Sequence, residues 1–112
     1  MERPSGELFE ARGAIENELF RVQDELLSRR GENSGEMDIR ALISRRNRLR
    51  GMYYATEPFP SIAENMGVEA TEILQGVQEV LRYRAGRPSS IVEGLINNDP
   101  TKTAGLDRQV EI

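Results

Sequence analysis

The chain has 112 residues, 38% of them apolar and 30% charged, with a net charge of −4. That is enough for one small core and too little for a barrel or a doubly wound enzyme. With neither cysteine nor histidine, it has no disulfide framework, thiolate metal site, thiol nucleophile or imidazole base.

Residues 1–38 hold 5 arginines and 10 acids, a balance of −5, whereas residues 39–87 hold 8 arginines and 5 acids, a balance of +3. The remaining segment, 88–112, carries −2. An acidic first segment beside a basic middle one predicts charge pairing, within one chain or between copies. Of 15 basic residues 14 are arginine, the better residue for bidentate contacts, although a codon bias gives the same excess.

The first helix is predicted from about Glu7 to Arg30. Leu8, Ile15, Leu19, Val22 and Leu26 form one stripe at spacings of seven, four, three and four. Phe9, Phe20 and Leu27 widen it to a face, too long for one small core to bury, which pairs with a second long helix or with another chain, and Arg12 sits in the seam. Glu25 and Arg29 form a favourable i,i+4 pair. Gly31 is placed to follow the helix end in a loop with Asn33, Ser34 and Gly35.

Asp38 is the expected cap of a second helix, Ile39 to Tyr54, whose stripe of Ile39, Leu42, Leu49 and Tyr53 has Arg46 at its missing position. The two seam arginines snorkel to water or pair with carboxylates of the facing helix or a neighbouring chain. Glu57-Pro58-Phe59-Pro60 is a rigid turn. Ser61 and Glu64 have capping-box spacing, opening a short helix that stops near Gly67.

A further helix is expected from Glu69 to Ala85, with Ala70, Ile73, Leu74, Val77, Val80 and Leu81 on its apolar face and Gly86 and Pro88 ending it. Ser90 and Glu93 repeat the capping-box spacing before a last helix, Ile91 to Asn97. Residues 101–112 read as a polar tail ending in Val110 and Ile112, which alternate around Glu111 as an added strand does.

The expected fold is all-α: a helical hairpin over residues 1–57, a trihelical unit over 58–97 and an extended C-terminal arm over 98–112. Residues 62–81 resemble the helix-turn-helix unit, with Ala63 small at the helix contact, Gly67 at the turn and Ile73 six residues on. Ile62, Met66, Val68 and Leu74 stand where such a unit buries its core. The resemblance implies a second helix that reads bases through Thr71, Gln75 and Gln78. This sequence departs from the pattern by placing Glu69, Glu72 and Glu79 on that helix, where they repel phosphate.

Arg45, Arg48, Arg50, Arg82, Arg84 and Arg87 are the candidate contacts to nucleic acid or to an acidic partner. Leu8, Arg12, Ile15, Leu19, Arg46, Leu49, Val110 and Ile112 are the candidate protein interface. Ser44, Ser89 and Ser90 lie outside any nucleophile-elbow context, and Gly86 to Ser90 lacks the second glycine and lysine of a phosphate loop. No catalytic, cofactor-binding or metal residue is assigned, and no enzyme activity is expected.

No apolar run reaches the ~20 residues needed to cross a bilayer, and Met1 to Glu7 lead into no signal-like stretch. The expected location is cytoplasmic or virion-associated, without secretion and without membrane contact. The expected role is a structural or adaptor subunit of a larger assembly, of the kind found in a phage head, neck or tail. In it, long helices self-associate into a homo-oligomer and the arm latches a neighbour. The alternatives are a helix-turn-helix nucleic-acid-binding regulator and a small protein inhibitor of an enzyme complex.

Overall fold

A computed structural model describes residues 4–31, 35–57, 70–104 and 106. Every described element is a helix: α1 (Pro4–Gly31), α2 (Glu36–Ala55), α3 (Ala70–Arg84), α4 (Ser90–Asn97) and α5 (Pro100–Thr103). The all-α expectation is therefore met.

α1 begins with Pro4, which fits the first turn of a helix because its missing N–H has no intrahelical partner there. Gly31 belongs to the helix rather than following it. α2 starts earlier than its apolar pattern, and its N-cap is Gly35, which offers no side chain. Asp38, the expected cap, lies inside the helix and accepts from Arg29 Nη1 at 3.2 Å. The carboxylate has left the helix's own amides for an arginine of the preceding helix.

α1 and α2 pair antiparallel. Arg29 meets Asp38, Glu18 meets Arg45 at 3.0 Å, and Arg12 meets Thr56 at 2.9 Å, in an order that reverses along the second helix. Ala11, Ile15, Val22 and Leu26 of α1 are buried with Leu49, Met52 and Ala55 of α2. Burying each larger side chain contributes about 1.5–3 kcal/mol before entropy is counted. Leu8, Leu19, Ile39, Leu42 and Tyr53 are partly buried around this core.

α3 packs on a second face of α2 and runs in the same direction. Ser44 bonds Glu72, Arg48 bonds Gln75, and Met52 lies against Gly76. Two glycines make this contact close. A Cβ at Gly51 would meet the backbone of Ile73, and one at Gly76 would meet the carbonyl of Arg48. The backbones therefore approach to a separation that only hydrogen side chains permit.

α3 ends as its sequence predicts. Gly86 takes φ +82°, its N–H bonds Tyr83 O at 3.0 Å, and the Arg87 N–H bonds Arg82 O at 3.0 Å, the paired bonds of a Schellman turn. α4 is capped by Ser89 rather than Ser90: the Ser89 hydroxyl accepts from the Val92 N–H at 3.3 Å. Ile91, Val92 and Leu95 of α4 close the core from the end.

The expected arm is not extended where it is described. Asn98, in the left-handed region at φ 59°, turns the chain, and Asp99 caps α5 by accepting from the Thr101 N–H at 3.1 Å. α5 settles on Gly94, whose missing side chain leaves room for Lys102 and Thr103, and Leu106 is fully buried in the core. A single apolar residue in a polar segment is enough to fold that segment back. Val110 and Ile112, with the latch role assigned to them, lie outside the described residues. So do residues 61–69, which hold the Ser61–Glu64 capping box and the Gly67 turn.

Candidate functional site

The predicted interface residues divide by burial. Ile15 and Leu49 are fully buried inside the chain, and Leu8 and Leu19 are partly covered by it. These four serve the α1–α2 contact of one chain and present no free surface, or little, to another.

Arg12 leaves the α1 seam and reaches the far end of α2. Its guanidinium lies 3.9 Å from the centre of the Tyr53 ring, donates to Thr56 Oγ1 at 2.9 Å and stands 3.6 Å from Glu57. Thr56 is held in turn by donating to Tyr53 O at 2.6 Å. A flat cation over a ring, with two oxygens at its edge, uses the features that separate arginine from lysine. Arg46 stays on α2, with Nη2 3.2 Å from Asn47 Oδ1.

The arginines proposed for nucleic acid do not gather on one face. Arg45 points toward α1 and pairs with Glu18, which also accepts from Arg21 Nε at 3.1 Å. Arg48, only 7% exposed, points toward α3 and donates to Gln75 Oε1 at 2.7 Å. The Gln75 that would read a base is thereby occupied by an arginine of its own chain. Arg84 donates to Ala55 O at 3.4 Å. Arg82 and Arg87 are exposed and Arg50 is half-buried, without a described side-chain partner.

The carboxylates nearest the serines have structural partners. Glu72 accepts from Ser44, and Glu79 accepts from the buried Ser89 at 2.7 Å. Asp99 accepts from both the hydroxyl and the amide of Thr101, and these bonds hold its carboxyl below the usual range. Among the described residues no group of three or more acids is placed to hold a metal ion, and no helix is long and apolar enough to cross a membrane.

The surface differs most from the sequence reading at five large apolar side chains. Phe9 is 79% exposed, Phe20 56% and Leu27 69%, all on α1; Leu74 and Leu81 on α3 are 43% and 48% exposed. All were expected on the apolar faces of their helices. The first three are separated by eleven and seven residues, so at ~100° per residue they fall within about 20° of one line. The core stripe of Ile15, Val22 and Leu26 lies more than 90° around the helix from that line, by the same arithmetic. The broad apolar face of α1 is thus two stripes, of which the chain covers one. Leu74, expected inside a helix-turn-helix core, lies on the outer side of α3, while its neighbour Ile73 faces Gly51.

No protein-family model, curated protein or solved structure matches the chain.

Proposed function

We propose that the chain is a non-enzymatic structural or adaptor subunit of a multi-chain assembly and associates through the uncovered stripe of α1. The observation that carries this reading is the alignment of Phe9, Phe20 and Leu27 on the outside of a 28-residue helix. Single exposed apolar residues are ordinary, but an aligned set on a long rigid element is what a binding face provides. From Phe9 to Leu27 the stripe spans roughly 27 Å of helix.

The internal polar contacts favour the same reading. Glu18, Glu72, Glu79, Arg12, Arg45 and Arg48 are engaged in fixing helices to one another. They give the chain a defined shape, which a building block needs. The absence of histidine and cysteine from the sequence removes the commonest groups of catalysis.

The test is the solution mass of the purified full-length protein by size exclusion with light scattering, across concentration and at low and moderate salt. A mass of two or more chains that rises with concentration supports the reading. A monomer that persists at high concentration overturns self-association.

A further inference from the structure

We infer that the partner of the α1 stripe is the α3 surface of a second copy of this chain, joined head to tail. The inference rests on the assembly reading above and specifies its contact. Leu74 and Leu81 of α3 are exposed and seven residues apart, the same spacing as Phe20 and Leu27 of α1. Two helices laid together with equal apolar spacing match at both positions. Within one chain the two stripes do not meet: α1 and α3 each pack on α2 and leave both stripes exposed. Each copy therefore carries one of each.

Charge selects this pairing over a stripe with its own mate. The uncovered side of α1 carries Glu10, Glu16 and Asp24, none with a described ion-pair partner. Its nearby cations are already engaged, Arg12 at Tyr53, Thr56 and Glu57, and Arg21 at Glu18 and Glu25. Two such faces together would set acid near acid. The outer side of α3 has Thr71 before Leu74, Gln78 between the two leucines, and Arg82 and Arg84 on either flank of Leu81, with exposed Arg87 just beyond.

Charge also selects the direction. Antiparallel, Leu81 faces Phe20 and Leu74 faces Leu27; Arg84 then comes level with residues 16–17, beside Glu16. Parallel, Arg82 and Arg84 would lie past Leu27 and far from Glu16. The antiparallel docking pairs unlike charges and the parallel one does not. Where the two faces engage different copies, the contact is heterologous and repeats into a closed ring or an open filament; made twice between the same two copies, it closes a two-fold dimer.

The test is complementation between two variants. One carries Phe20→Ser with Leu27→Ser, the other Leu74→Ser with Leu81→Ser; all four side chains are exposed, and circular dichroism checks that helix content is kept. If one double variant loses helix, the single changes Phe20→Ser and Leu81→Ser replace it. By light scattering, the wild-type chain forms a dimer or a larger assembly, weakened by salt. Each variant alone is a monomer, and an equimolar mixture gives a dimer and nothing larger, because one intact face of each kind remains. An α3 variant that still associates overturns the pairing in favour of α1 against itself, and a mixture that stays monomeric overturns it too. A wild-type assembly indifferent to both variants overturns the pairing and leaves the assembly reading standing, whereas a monomeric wild type removes both.

Discussion

Gly76 of α3 lies against the carbonyl of Arg48 on α2, so closely that a methyl group at Gly76 would overlap that oxygen and press on Met52. Gly51 stands in the same relation to Ile73. Both neighbours are helix backbone and have no rotamer to change. Gly76→Ala should gain ~1 kcal/mol in helix propensity and lose more through the forced separation. The expected net loss is about 1–3 kcal/mol in a urea or thermal unfolding curve. Gly13 is the counterpart. It lies inside α1 with nothing within 4 Å of its Cβ position, so Gly13→Ala should stabilise by about 0.5–1 kcal/mol. Equal and like-signed effects at the two positions would refute the close approach.

The sequence showed the helices because periodicity and breakers are local. The Ile15, Val22 and Leu26 stripe, the Gly86–Pro88 stop and the Glu25–Arg29 pair at 3.2 Å all depend on residues within a few turns of each other. What it did not show depends on residues far apart. Phe9, Phe20 and Leu27 looked like part of one apolar face because the sequence counts apolar positions without knowing how many a partner helix covers. Leu106 looked like tail because one leucine carries no period. The close approach at Gly51 and Gly76 appears only when the other helix is placed against each. Asp38 and Ser90 had the right chemistry for caps, and the true cap was the residue three positions earlier in one case and one position earlier in the other.

Ser89 joins two structures with one hydroxyl. It accepts from the Val92 N–H at the start of α4 and donates to Glu79 of α3 at 2.7 Å, and the residue is 2% exposed. Ser89→Ala removes the cap and leaves the Glu79 carboxylate without its donor. The expected cost is about 1–3 kcal/mol. Ser90→Ala, on an exposed residue in the first turn, should stay within about 0.5 kcal/mol of the parent. Two thermal melts decide this, and a larger loss at Ser90 would reassign the cap.

Asp99 gives the α4–α5 turn a dependence on acid. The Thr101 hydroxyl at 2.7 Å and the Thr101 amide at 3.1 Å favour the charged carboxylate and lower its pKa, with Lys102 adding a smaller pull in the same direction. A group whose pKa is lowered on folding contributes stability above its unfolded value and loses it as pH falls through the folded value. The contribution is thus present at neutral pH and is lost below about pH 4. Asp99→Ala should lower the melting temperature slightly at pH 7, and the gap to the parent should narrow as the pH falls below about 4. A gap that stays constant over this range would mean that the Thr101 contacts do not depend on the charge.

Arg12 and Tyr53 hold the open end of the α1–α2 pair, with the guanidinium 3.9 Å from the ring centre and two further oxygens, from Thr56 and Glu57, at its edge. Lysine keeps the charge but has no plane to stack and no fork to reach Thr56 and Glu57 together. Arg12→Lys should therefore cost about 1 kcal/mol, close to the cost of removing the charge with Arg12→Met. Tyr53→Leu made in the Arg12→Lys background should cost less than in the parent, a coupling of roughly 0.5–1 kcal/mol in a double-mutant cycle. A lysine variant as stable as the parent, or a cycle with no coupling, would reduce Arg12 to a surface charge whose stem alone packs on α2.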